Sequence, residues 1–367
     1  MKFQIPRDVI LKSLQQLSGV VERRQTLPVL GNILVKAADN TLTLAATDLE
    51  VELIIQLACV VDDPGEITIP ARKWLDICKN LPEDATITIS TSGDKVMLHA
   101  GRSRFTLSTL PATEFPLIDE ISSLTKFSTS QSALKNIFDS THFSMAQQDV
   151  RYYLNGLMME MSSKLLRSVA TDGHRLALKD VPLEIEVNED KRQIIVPRKG
   201  IQELMRLLAD SDDGVNVVVG SSHIRITIGD MIFTSKLIDG KFPDYERVMP
   251  EGGKNIVSAE KENLRQTLVR VAILSNEKYR GIRIILGRDK MQVMAHNPEQ
   301  EEAEDEISVE YNGDEFEIGF NANYLLDAIN AVQSDQVNIV LTDSNSSCVI
   351  KDATDDTSSY VVMPMRL

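Results

Sequence analysis

VPRKGIQELMRLLADSDDGVNVVV, residues 196–219, decides the fold, because the chain writes the same pattern twice more. The stretch reads as an apolar approach, a proline at the helix start, a basic pair, an amphipathic helix, an acidic turn and a β-branched strand. IPARKWLDICKNLPEDATITI (69–89) has the same order, and GFNANYLLDAINAVQSDQVNIVL (319–341) is a third version. Pro70 and Pro197 are 127 residues apart, and Pro197 and Ala322 are 125 apart. Other landmarks keep step. LGNILV, LNGLMM and RGIRII place Gly31, Gly156 and Gly281 at intervals of 125, and TEFP and GKFP place Phe115 and Phe242 127 apart. The period is longer than any solenoid repeat, so it marks tandem domains.

A helix opens each copy: RDVILKSLQQLSGV (7–20), SQSALKNIFDSTHFS (130–144) and KENLRQTLVRVAILS (261–275). Each shows apolar residues at i, i+3, i+4, i+7 spacing, as in Leu264, Leu268 and Val271. The remainder alternates apolar and polar residues over short runs between Asn, Asp and Gly turns, as in SSHIRITIGDMIFTSKL. Each copy is therefore an α+β unit of two helices and roughly eight strands. The boundaries fall at small polar segments near residues 122 and 252, which gives domains 1–122, 123–252 and 253–367. A row of sheet-rich units leaves an edge strand at each end, and RSRFTLSTL (102–110) alternates as such an edge. Closed symmetry removes such edges, and a head-to-tail homodimer would give six units in a ring.

The composition is that of a globular chain, 43% apolar and 25% charged. MKFQIPRDVIL lacks the apolar run of a signal peptide, and LIIQLACVV (53–61) is too short to span a bilayer. Cys59, Cys78 and Cys348 lie far apart without metal spacing, which fits buried thiols in a reducing cytoplasm and no metal site. The formal charge is −15. Summed over the six expected helices the charge is +5, leaving −20 for the rest of the chain. Helices gathered on one surface would offer a polyanion a weak, sequence-blind contact while the remainder repels it.

ATDGHRLAL (170–178) groups Asp172, His174 and Arg175 beside a glycine, which suggests a hydrolase. Such chemistry needs a nucleophile next to an oriented base. TDLE (47–50) and NPEQ (297–300) hold the corresponding places without a histidine, and no GxSxG, P-loop or GxGxxG motif is present. No catalytic residue and no cofactor is therefore assigned. The alternatives to a binding protein are the Asp172/His174 hydrolase and a repeat scaffold that never meets DNA.

QDVRYYLNG (148–156), ATDGHRLA (170–177), IVPRKG (195–200), FPDYERV (242–248), AILSNEKYRG (272–281), NPEQEEAE (297–304) and YVVMPMRL (360–367) closely resemble the bacterial β sliding clamps, the processivity subunits of replicative DNA polymerase III. The resemblance runs from the first residue to the last. It implies three similar domains per chain and two chains head to tail in a ring, with helices lining the hole and sheets outside. Duplex DNA would be held topologically, independent of sequence. The partners would be the clamp loader, the replicative polymerase and other proteins carrying the clamp motif, with no membrane and no catalysis by the chain itself.

By the same resemblance, Arg24, Gln148, Tyr152 and Tyr153 touch DNA, the tyrosines by stacking. Lys12, Lys73, Lys135, Arg198, Lys199 and Arg206 add diffuse positive potential. The dimer seam sets Phe105 and Leu107 against Ile273 and Leu274, with Arg102 and Arg104 facing Glu301, Glu302 and Glu304. Partner peptides, typically a Gln followed by Leu-rich and Phe residues, would dock between the second and third domains. Leu154, Thr171, Gly173, His174, Arg175 and Leu176 match that pocket from the second domain, as do Pro243, Arg247 and Val248. Asn321, Tyr324, Ser347, Val361, Val362, Met363, Pro364, Met365 and Arg366 match it from the third. Its apolar residues would hold Leu or Phe anchors, and methionine adapts to varied partners. Asn345 departs from the pattern, since the family more often has an apolar residue there, and so bears on motif preference.

Overall fold

The computed structural model describes residues 1–21, 27–119, 121–187, 190–250, 253 and 255–366. Among them stand six α-helices: α1 (Arg7–Leu17), α2 (Ala71–Lys79), α3 (Gln131–Asp139), α4 (Arg198–Leu207), α5 (Lys261–Ala272) and α6 (Ala322–Ala331). The buried side of α1 is Ile10, Ser13, Leu14 and Leu17, and that of α4 is Gly200, Ile201, Leu204 and Leu207. That spacing of three and four residues makes one stripe on a helix, and burying each large aliphatic there contributes roughly 1.5–3 kcal/mol. Among the described residues three N-termini are capped by side chains. Before α3, Ser130 Oγ accepts from the Ala133 N–H group at 3.2 Å. Glu260 accepts from the Glu262 and Asn263 N–H groups, and Asn321 from those of Asn323 and Tyr324. Three expected helices end early. Ser18 N–H bonds back to Leu14 and a glycine follows at 19, so α1 stops at Leu17. Past α3, His142–Ser144 forms a separate 3-10 turn, and α5 ends at Ala272.

Among the described residues nine strands fall in the first copy, eight in the second and eight in the third. Their packing does not follow the copies. The chain forms two compact units, and the cut runs through the second copy. In the first unit one sheet of eight strands joins the first two copies where Val51–Ala58 pairs with Met231–Lys236. A second sheet of five strands ends on Ser103–Ser108, which pairs on one side only, with Lys95–Ala100. In the second unit a sheet of eight strands joins the second and third copies where Arg175–Pro182 pairs with Ser358–Val362. A sheet of four strands ends on Glu302–Ser308, paired only with Lys290–His296. All these pairings are antiparallel.

The two joints repeat one geometry. In the first, Phe233 stands opposite Leu53; in the second, Tyr360 stands opposite Ala177. All four are at most 1% exposed. The hairpins that lead into these strands put Phe105 at the position of Phe233, two residues past the turn in each. They put Ala303 at the position of Leu53 and Ala177. Phe105 and Ala303 are only half-buried. Cys78 and Cys348 are buried, and burial pushes each thiol up to about 12. No helix among the described residues is long and apolar enough to cross a membrane.

Candidate functional site

The segment 170–176 is two strand ends joined by a tight turn. Thr171 Oγ1 donates to the Arg175 carbonyl at 2.6 Å and accepts from Gly173 N–H at 3.1 Å. Asp172 Oδ1 accepts from the His174 and Arg175 N–H groups at 2.9 and 3.1 Å. Gly173 sits at φ +89, a conformation in which glycine is free of the Cβ penalty, and an added Cβ would lie 2.9 Å from the Arg151 guanidinium. No hydrogen bond joins the Asp172 and His174 side chains among the described residues. The Asp172 carboxylate is instead taken up by the turn and by Arg175, so the pair lacks the oriented base that nucleophilic catalysis requires.

Arg175 is a fixed node. It donates to Asp172 at 3.0 Å, to Asp327 of α6 at 2.5 Å and to the Phe143 carbonyl at 2.7 Å. Its guanidinium lies over the Tyr324 ring at 4.5 Å. Arg175, Asp172, Phe143 and Tyr324, with Arg151, Arg198 and Asp149, line a polar cavity of about 340 Å³. The Arg151 guanidinium grips Asp149 through two hydrogen bonds and holds its carboxyl down at about 2. Sequence alone does not single out Arg151 or Asp327; the one signal is the place of Arg151 inside QDVRYYLNG.

On the other side of the turn the chain is apolar. Leu176 is buried in one cluster with Leu154, Val361, Phe242 and Tyr245. Half-buried Met363, Pro364 and Met365 follow Val361 and Val362 in the chain, and Met363 N–H bonds to the His174 carbonyl. His174, Pro243, Arg247, Val248, Asn345 and Arg366 are exposed, whereas Ser347 is half-buried. Arg247 pairs with Asp244 at 2.8 Å. The side-chain oxygen of Asn321 is used as the cap of α6, so only its amide nitrogen turns elsewhere, to the Tyr279 carbonyl.

Three family profiles cover the chain. They describe the N-terminal, central and C-terminal domains of the DNA polymerase III beta subunit and match residues 1–119, 128–244 and 246–366. The chain belongs to the DNA polymerase III beta subunit family. It is 55% identical to the beta sliding clamp of Pseudomonas aeruginosa and 49% identical to that of Escherichia coli K12, each over the full length of both chains. Among solved structures it resembles the DNA polymerase sliding clamp of P. aeruginosa with a TM-score of 0.97 at 54% identity. It resembles the Bartonella birtlesii clamp bound to griselimycin with 0.96 at 34%, again over all of both chains.

The remaining residues expected from the resemblance fall into two groups, those expected at DNA and those expected at a dimer seam. Of those assigned to DNA, Arg24 lies outside the described residues. Gln148 is exposed at φ +56 beside Val150, which is 94% exposed. Tyr152 is exposed and meets Tyr153 edge-on, with ring centroids 5.8 Å apart. Lys12 and Lys73 are exposed and have no acidic partner among the described residues. Lys135 pairs with Asp210 at 2.7 Å, Lys199 with Asp48, and Arg206 with Glu203 at 2.8 Å. Arg198 donates to the Met145 carbonyl. The six cations thus differ in how much charge they leave for a ligand, which their sequence positions do not reveal.

The residues expected at a dimer seam lie on or beside the two edge strands, Ser103–Ser108 and Glu302–Ser308. Phe105 and Leu107 share one face of Ser103–Ser108, with exposed Arg104 on the other and exposed Arg102 in the turn. Glu302 and Glu304 are exposed on Glu302–Ser308, and Glu301 just precedes it. Ile273 (71% exposed) and Leu274 follow α5, which Arg270 ties to the same edge strand through Asp305 at 2.6 Å.

Proposed function

We propose that two copies of this chain pair head to tail through those edges and close a ring around duplex DNA. As a member of the clamp family the protein is a non-catalytic processivity subunit, acting in the cytoplasm. It tethers the replicative polymerase and other clamp-motif proteins after a loader has opened the ring. The observation that carries the reading is the repeated joint. Two of three equivalent strand pairings are made within the chain, and the third pair, Ser103–Ser108 and Glu302–Ser308, is left open in matching form. A second copy supplies what each edge lacks.

The internal joints also predict the register. Phe105 falls opposite Ala303, Arg104 opposite Glu304 and Thr106 opposite Glu302. Closing the seam would bury Phe105 as Phe233 and Tyr360 are buried, and would set a cation against an anion across the strands. The domains are 1–122, 123–252 and 253–367, with the helices of all six lining the hole. There Lys12, Lys73 and Arg198, with Arg24, Gln148, Tyr152 and Tyr153, meet the duplex. Partner peptides seat their Leu and Phe anchors over Leu154, Leu176 and Val361, against the rim that includes His174, Val248, Met363 and Asn345.

Sedimentation equilibrium tests the pairing. The account expects twice the 40.9 kDa chain mass at micromolar concentration. A monomer throughout that range refutes it.

A further inference from the structure

A cavity of about 450 Å³ in the first unit is used by none of the roles above. Its wall includes Thr47, Leu49, Pro116, Ile121, His223 and Lys236. The repeat places these six at the positions of Thr171, Gly173, Pro243, Val248, Ser347 and Met363, all residues of the peptide groove proposed for the second unit. Pro116 and Pro243, Ile121 and Val248, and Lys236 and Met363 are each separated by 127 residues. His223 faces Lys236 across its hairpin. Cys348 facing Val362 puts Ser347 beside Met363 in the same way.

The turns agree bond for bond. Thr47 Oγ1 donates to the Val51 carbonyl at 2.8 Å and accepts from Leu49 N–H at 3.0 Å, as Thr171 does with Arg175 and Gly173. Asp48 Oδ1 accepts from two N–H groups, as Asp172 does. Leu49 takes φ +77 where Gly173 takes +89. That backbone is rare for a leucine and persists where surrounding bonds over-determine it.

The residues behind the lining differ. Glu52 stands at the position of Leu176, and Thr234 at that of Val361; both are fully buried and neither lines the cavity. Glu52 Oε2 accepts from the N–H of Ile118, a lining residue, at 2.9 Å, and its Oε1 has no hydrogen-bond partner among the described residues. One side is apolar, with Leu117 53% exposed and Leu49 37% exposed, while Asp119 and three serines also line the cavity. Away from the side that holds Leu49, Leu117 and Ile121 the lining is polar, with Ser122, Ser221, Ser222 and His223, so a second apolar anchor would find no apolar slot. The rim carries the Lys236 cation in place of the Met363 thioether. We propose that this cavity is a second peptide groove, taking a short extended segment with one apolar anchor followed by an acidic residue. The anchor packs on Leu49, Leu117 and Ile121, and the acid meets Lys236. The proposal rests on the peptide reading of the second-unit groove, from which the equivalent positions take their meaning.

The test titrates the full-length protein with the capped pentapeptide Gln-Leu-Asp-Leu-Phe and follows methyl NMR signals. The expected result is two saturable sets of shifts. One includes Leu176 and Val361; the other includes Leu49 and Ile121 and saturates at tenfold or more higher peptide concentration. Leu117→Arg and Lys236→Glu, both at exposed side chains, abolish the second set and leave the first. A probe with Asn in place of Asp weakens the second set alone. The proposal is overturned if the Leu49 and Ile121 methyls do not move at a hundredfold excess over the first saturation point, or if their shifts survive both variants. Shifts at Leu49 without shifts at Leu176 would sink the second-unit groove and leave this one standing.

Discussion

Replacing Arg104 by Glu puts like charges on facing strands at the proposed seam. Directly opposed side chains lie about 4.5–5.5 Å apart at Cβ, and an exposed opposite-charge pair there contributes about 0.2–1 kcal/mol. Turning attraction into repulsion of similar size costs about 0.4–2 kcal/mol per seam. A two-fold dimer carries the change twice, so the total is about 1–4 kcal/mol, a weakening of roughly fivefold to several hundredfold in dimer Kd. Sedimentation at low salt measures it, and raising the salt should shrink the effect because the pair is exposed. Glu304→Arg in the same chain should restore the dimer, since the register sets it opposite position 104. Rescue by Glu302→Arg or Glu306→Arg as good as that by Glu304→Arg would refute the register. An unchanged Kd for the single variant would refute the pairing of these two strands.

Further outcomes follow from the same geometry. Gly173→Ala should cost about 1–2 kcal/mol of stability and displace Arg151, because φ +89 disfavours a Cβ that would also crowd its guanidinium; urea unfolding reads the cost. Asp327→Asn should cost about 1–2 kcal/mol and speed hydrogen exchange over 171–176, because Arg175 loses one of its two carboxylate partners. Burial raises the Glu52 carboxyl above its ordinary 4.5, so folding favours the protonated form. That contribution is full below the ordinary value and is lost as pH rises through the raised one. Urea unfolding of the native protein should therefore lose more free energy across that window than unfolding of Glu52→Gln.

Much of this architecture is legible in the sequence. The helices are, because Ile10, Leu14 and Leu17 or Leu264, Leu268 and Val271 mark a stripe that only a helix makes continuous. The three copies are, because Gly31, Gly156 and Gly281 recur at intervals of 125 and Pro70 and Pro197 open equivalent helices. The two compact units are not, since pairing of Met231 with Ile55 or Arg175 with Val362 joins strands far apart in the chain, and local pattern carries no register. The site divides in the same way. Leu176 and Val361 read as apolar residues and lie buried in one cluster. Arg175 reads as part of a polar triad, whereas its fate is set by Asp327, 152 residues away. Glu52 sits in an alternating strand, and nothing in VELII announces a carboxylate with no exposure.

Retention on DNA of defined topology tests the central claim most directly. The protein is loaded onto a nicked circular duplex, freed of unbound chain by gel filtration, and the circle is then cut once with a restriction enzyme. A closed ring held by topology stays on the circle and leaves when the circle is linearised, at salt concentrations that abolish simple phosphate binding. Equal retention on circle and line, or loss from both as salt rises, would contradict the account.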